Sequence, residues 1–451
     1  MAKARAKDFV VNITKLTKAI TQKGFGLIMI YDTEHEKQYA VYSDITAVGE
    51  AYPVDSKAYK LASRIFGQSP RPQNVAIVGN TNLQETAGTK GEFTLSITTP
   101  FSVGDVLEIN GNKYTFAADN ASADKYEFSG EDASSQAKSL QALVEKLENE
   151  FIVTSNLENI VFTQNTAGVG SIPMIFTSST LVSAVCTGHA QIKMTKQQAL
   201  PTGFIAFLNQ VRDSHSEPFF LVCTDNTDAT IKKLSNWIDT QDMMYFVTSQ
   251  NLSAPKLVKS EQTVIMYHDD ANAYVAEGLA SYLATAKVGG VTSKFKTING
   301  VLEANLTTTQ LQELHKNNGF TYIEKMGVLQ TTDGKTTSGE YIDVVMGAFW
   351  IRFKMEEEFA YLSVNTPKIG FDNRGIGLMV GVCNAVLKKA AFEQDIILID
   401  SDEKAQYNIT YVTRENTSKN DIANRYYTGI KWTAKLAGAI HKAVINGTLE
   451  Y

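Results

Sequence analysis

Along the chain, short continuous apolar runs alternate with stretches whose apolar residues recur at helical spacing. "GFGLIMIYD" (24–32), entered through Gly24 and Gly26, reads as a strand buried on both faces. "SKAYKLASRIFGQ" puts Tyr59, Ala62 and Phe66 near helical spacing, and the prolines of "QSPRPQ" stop that helix before a second strand, "NVAIVG". The same alternation returns after residue 199. Strands "PFFLVCTD", "MMYFVTS" and "TVIMYH" are separated by the helices "TDATIKKLSNWIDTQ", with Asn226 or Thr227 as cap, and "DANAYVAEGLASYLAT". "TTTQLQELHKNNG" follows as a helix opened by threonines and closed by Asn-Gly, and a β-hairpin is expected around Asp333-Gly334. Strands alternating with helices predict a mostly parallel sheet covered on both faces.

Between residues 88 and 198 the pattern changes to short β-like runs with turn signals, such as "INGNKY". One amphipathic helix, "SSQAKSLQALVEKLEN", sits among them, with Leu140, Leu143 and Leu147 on one face. From about 346 two amphipathic runs follow, "DVVMGAFWIRFKMEEEFAYLSV" and "DNRGIGLMVGVCNAVLKKAAFEQ", and then a sheet signal in "DIILIDSDEKAQYNITYVT". The expected organisation is α/β (mixed α+β) and multidomain, a mostly parallel sheet flanked by helices. An N-terminal arm occupies 1–24, a discontinuous α/β domain 25–87 plus 199–345, and an inserted α+β domain 88–198. A C-terminal α/β domain takes 346–437 and a C-terminal arm 438–451.

The last stretch, "KWTAKLAGAIHKAVINGTLEY", stays apolar where chain ends are usually polar, so a partner for it is expected. Within it Ile440, Lys442 and Val444 alternate with His441, Ala443 and Ile445, as a strand requires. Leu436, Ile440 and Val444 also fit helical spacing, so periodicity leaves both open. The N-terminal arm is basic, with six Lys or Arg against Asp8, and contains the β-like "DFVVNI".

Composition narrows the function. The 451 residues are 43% hydrophobic and 20% charged, ordinary for a folded chain with a sizeable core. A net charge of −6 gives no overall pull toward nucleic acid or an anionic membrane. The basic arm could contact phosphates, but it is short and carries no aromatic beyond Phe9. No run approaches the ~18 apolar residues of a spanning helix, and the N-terminus lacks the apolar core of a secretory signal. A cytosolic product is therefore expected. Cys186, Cys223 and Cys383 are far apart, which argues against a disulfide framework or a zinc site.

Catalytic motifs are scarce. There is no G-x-S-x-G, H-E-x-x-H or G-x-x-x-x-G-K-[ST] pattern, and "GGVTSKFKTING" has the wrong spacing for a phosphate loop. In "YHDDANAY", His268 with Asp269 or Asp270 stands at a strand end, where a His-Asp pair could serve as base and orienter of an α/β hydrolase-like enzyme. Asp269 and Asp270 equally suit the cap and first turn of the helix that follows. "MEEEF" (Glu356, Glu357, Glu358) spreads its acids over several helix faces, as a solvated or subunit-contacting edge does, and Lys388 and Lys389 fit an exposed face.

The order of these features resembles the sheath proteins of contractile phage tails and of phage-tail-like bacteriocins. The resemblance rests on "GFGLIMIYD", "YKLASRIFGQSPRPQNVAIVG", "MYHDDANAY", "GGVTSKFKTINGV", "SGEYIDVVMGAFWI" and "KLAGAIHKAVINGT", in that order. Residues 88–198 look like the family's variable insertion. The resemblance implies a non-enzymatic structural subunit, without cofactor or metal, that stacks with its own copies in rings or a helix around a tail tube. Baseplate and tail terminator would be further partners, with no membrane and no direct nucleic-acid contact. It also implies a place in the virion tail, or in an extracellular bacteriocin particle, after assembly in the bacterial host cytoplasm. Terminal arms would add strands to a neighbour's sheet, through Phe9, Val10, Val11 and Ile13 and through Ile440, Lys442, Val444 and Ile445. The insertion would face outward and the C-terminal half inward, with Lys388 and Lys389 as candidate tube contacts.

Overall fold

The computed structural model describes residues 24–444, apart from 83, 119–120, 148–150, 168–174 and 179–187. Two compact units are present, Asn82–Ser214 and the remainder of the chain. The larger unit opens with β1 (Ile28–Asp32), β2 (Lys37–Tyr42), α1 (Ile45–Ala51), α2 (Lys57–Phe66) and β3 (Val75–Gly79). Every residue of β1 and β3 is buried, as their continuous apolar runs require of strands covered on both faces.

The unit Asn82–Ser214 carries β4 (Glu92–Ile97), β5 (Val106–Ile109), β6 (Asn112–Phe116), β7 (Glu127–Phe128), α3 (Ala133–Leu147), β8 (Phe151–Asn156), β9 (Asn159–Gln164), β10 (Ile175–Ser178), β11 (Ala190–Lys196) and α4 (Phe204–Ser214). It has two four-stranded sheets, ordered β10-β5-β6-β7 and β11-β4-β9-β8. β4 and β9 alternate buried and half-buried positions, the signature of sheets with one face in a core. Leu140 and Leu143 of α3 enter that core with Phe93, Leu107 and Phe162. The β5–β6 hairpin turns at Asn110-Gly111, both at positive φ, as its Asn-Gly pair predicts. The unit extends past both expected limits, 88 and 198, because Thr86 pairs with Thr202 and Thr89 with Ala199.

The larger unit resumes with β12 (Phe220–Cys223), α5 (Asp228–Ile238), β13 (Met244–Ser249), β14 (Thr263–Tyr267), α6 (Val275–Thr285), α7 (Thr308–Lys316), β15 (Phe320–Lys325) and β16 (Val328–Thr331). Two long helices follow, α8 (Ile342–Asn365) and α9 (Asn373–Phe392), then β17 (Tyr407–Thr410), α10 (Lys419–Ala423) and β18 (Lys431–Ala434). Its main sheet has the order β16-β15-β14-β13-β12-β1-β3-β2. The six inner strands are parallel, and β2 and β16 close the edges antiparallel.

Local chemistry sets the helix starts. Thr227 caps α5, Asp372 caps α9, and Thr307 with Gln310 forms a capping box on α7. Residues 346–437, expected as a separate domain, share the core of the larger unit through Met346, Ile351, Leu387 and Ala390. α9 is long and apolar enough to cross a bilayer on those two measures, against the expectation that no run is, yet Ile376, Cys383, Val386 and Leu387 are buried inside the protein.

Two expectations are corrected. The β15–β16 hairpin turns at Met326-Gly327, both at positive φ, and not at Asp333-Gly334. Met326 projects fully into solvent there, so no packing opposes its left-handed backbone. α6 begins at Val275, with Tyr274 as its cap residue and Glu277 as its first-turn acid, so Asp269 and Asp270 precede the helix.

Candidate functional site

His268 follows the carboxyl end of β14, where open α/β sheets usually bind ligands, and is buried. Its Nδ1 accepts the Asp270 N–H at 3.0 Å, which fixes the proton on Nε2, 3.1 Å from the Leu302 carbonyl. Neither nitrogen is left to take a substrate proton. The Asp270 carboxylate accepts the Asn272 N–H at 2.9 Å and that of Asp269 accepts the Asn305 N–H at 2.9 Å. The cluster ties loop 268–272 to loop 302–305 and has the geometry of a turn, not of a base and its orienter.

Sequence reasoning missed the crest beside it. The strand order reverses at β1, with β3 on one side and β12 on the other. There the buried Asp32 accepts the Glu34 N–H at 3.0 Å and the Thr224 hydroxyl at 3.3 Å, and its Oδ2 lies 2.7 Å from His35 Nδ1. Glu34 pairs with Lys57 at 2.9 Å. Ligand atoms of Asp32, Glu34 and His35 lie within 4.8 Å of one another, but each is already engaged. Alongside is an open cleft of about 500 Å³ lined by Asp225, Asn226, Gln250, Asn251 and Asn272. Beneath, the fully buried Glu277 accepts the Thr248 N–H at 3.1 Å and its hydroxyl at 2.5 Å. Burial pushes the Glu277 carboxyl up to about 7 against the pull of those bonds and of Arg64.

On α8 and α9 the charged runs are partly used within the subunit. Lys389 Nζ is 3.0 Å from Glu358, whose bonded carboxylate holds the ammonium above the usual lysine range, and Lys354 pairs with Glu357 at 3.0 Å. Lys388 is exposed and makes no ion pair among the described residues. Glu356 is also exposed.

The terminal stretch divides in two. Lys431–Ala434 pairs antiparallel with Tyr407–Thr410 of its own subunit as β18, and Leu436 bridges Ile397. The Ala437 N–H donates to the Ile396 carbonyl at 3.0 Å. Gly438 then takes a φ of 63°, open to it without strain, and the chain leaves the body. From Gly438 to Val444 no residue lies in a strand or helix, and Ile440, Lys442 and Val444 are exposed. β17 and β18 form a two-stranded sheet with no third strand among the described residues, and Tyr411, Val412, Trp432 and Leu436 are exposed on and beside it. Phe9, Val10, Val11 and Ile13, and Ile445 at the other end, lie outside the described residues.

No family model and no curated protein matches the chain. Among solved structures, a chain of the contracted helical sheath of the anti-feeding prophage is similar over 100% of both chains, at 10% identity and a TM-score of 0.55. A chain of that particle's contracted baseplate is similar over 99% of each, at 10% identity and a TM-score of 0.52. A sheath tail protein of Desulfitobacterium hafniense covers 89% of this chain and 93% of its own, at 10% identity and a TM-score of 0.47. The fold is that of the contracted-sheath chain, carried on a very different sequence.

Proposed function

We propose that this chain is the structural subunit of a contractile tail sheath, polymerising around a tail tube and linked to its neighbours by strands donated from its terminal arms. The observation that carries the reading is the β17–β18 sheet, two strands with open edges and exposed apolar side chains, beside a chain end that leaves the body with Ile440 and Val444 uncovered. A two-stranded sheet is marginal alone and gains main-chain hydrogen bonds from any strand added to it. Donated segments are Phe9–Ile13 and Ile440–Ile445 of adjacent copies. An exposed edge is ordinarily an aggregation hazard, which a polymer turns to use.

Contraction would slide and rotate nearly rigid subunits between two packings while the donated strands keep the mesh connected. New contacts in the contracted packing supply the energy, with neither nucleotide nor metal. Lys388, with Lys389, faces the tube, and baseplate and terminator close the two ends. The sheath then drives the tube through a target envelope, as part of a virion tail or a bacteriocin particle.

Ile440→Asp with Val444→Asp tests this. Both side chains are exposed, so the isolated subunit keeps its melting temperature while polymers are lost. Polymers of unchanged yield from the double variant would sink the reading.

A further inference from the structure

Between Gly438 and Val444 one side chain turns back to the body. Ile440 and Val444 are 86% and 88% exposed, whereas the His441 side chain is only 11% exposed. Its Nε2 lies 2.7 Å from the Thr292 hydroxyl. Its ring stands edge-on to Tyr341 at 5.0 Å and to Phe295 at 6.3 Å, and its Nδ1 is 3.8 Å from Asp333. One residue thus bridges two loops, 292–295 between α6 and α7 and 333–341 between β16 and α8.

The second observation concerns Lys294, which is only 7% exposed. A buried ammonium normally has a carboxylate partner. Lys294 has no ion pair among the described residues. Its Nζ donates to the His441 carbonyl at 3.3 Å and lies 5.0 Å from the centre of the Phe295 ring. The backbone of the departing segment therefore satisfies a buried cation that has no other hydrogen-bond acceptor among the described residues. A stretch merely lying on the surface would not be needed in this way.

We propose that His441 and Lys294 form a clasp that pins the root of the C-terminal arm to its own subunit, so that within the donated stretch Ile440–Ile445 the residues beyond His441 are the ones free to pair with a neighbour. This rests on the strand-donation reading for its purpose, though not for its existence. Pinning the root fixes where the arm leaves and shortens the chain that a neighbour must order, which lowers the entropic cost of capture.

The test is trypsin cleavage of the dilute full chain after Lys442, followed by intact mass, for wild type, His441→Ala and Lys294→Met. Cleavage needs local opening, so loss of either half of the clasp speeds it by about tenfold. Cleavage after Lys435, whose N–H and carbonyl bond Gln406 and Leu398, stays constant and shows that the body is folded. A rate after Lys442 unchanged in either variant overturns the clasp. Deleting 442–451 separates the two ideas: a deletion that still polymerises removes this arm's donation and leaves the protease result, and the clasp, standing.

Discussion

Glu277 offers a quantitative test of how the sheet crest is built. The carboxyl is fully buried at the start of α6, and burial raises its pKa from 4.5 to about 7 although its bonds to Thr248 and the Arg64 charge lower it. Between those two values the folded state holds a proton that the unfolded state has lost. Stability is therefore greatest below the unfolded value, falls as pH rises through this window, and levels off above the folded value. The full difference is about 3 kcal/mol, an upper figure because burial dominates it. Glu277→Gln keeps the shape, accepts the Thr248 N–H and donates to the Thr248 hydroxyl oxygen. It frees that hydroxyl's proton, at a cost of about 1 kcal/mol. The variant should then be about 2 kcal/mol more stable than wild type at pH 8 and about 1 kcal/mol less stable near pH 4.5. Urea unfolding followed by tryptophan fluorescence reads the larger unit selectively, since Trp237, Trp350 and Trp432 all lie in it. A variant destabilised equally at both pH values would refute the reasoning, because the carboxyl would then titrate alike in the folded and unfolded states.

His268→Ala leaves the Leu302 carbonyl and the Asp270 N–H without their partner and should cost about 1–3 kcal/mol in thermal unfolding, yet polymers should still form. Loss of a measurable hydrolytic activity in that variant would revive the enzymatic reading. Lys389→Met breaks the α8–α9 pair with Glu358 and should cost about 1 kcal/mol or less in the isolated subunit, as half-exposed pairs do. Lys388→Glu should leave melting unchanged and weaken co-sedimentation with tail tubes; undiminished co-sedimentation would exclude Lys388 from the tube contact.

Much of the fold is legible because local chemistry and burial agree. The buried, largely apolar runs of β1, β3 and β12 announce strands covered on both faces, Thr227 announces α5, and Asn110-Gly111 announces its hairpin. The edge strand β2 is half exposed and carries no such run, so nothing marks it. The Met326-Gly327 turn was hidden by the more turn-like Asp333-Gly334, since a fully exposed Met can adopt the backbone a turn demands. The crest cluster is invisible for a different reason: Asp32 and Thr224 meet across an entire inserted unit, and periodicity carries no information about such pairs. The terminal stretch joins both cases. Its spacing fits strand and helix equally, and only the folded body decides that Lys431–Ala434 is paired while Ile440 and Val444 are not.

The central claim is that this chain polymerises through its arms. Electron microscopy of the purified protein at high concentration, beside a variant lacking residues 1–20 and 438–451, tests it most directly. Tubes or stacked rings from the full chain and dispersed subunits from the truncation are the expected result. Full-length subunits that stay dispersed even with tail tubes added, or truncated ones that polymerise equally well, would contradict it.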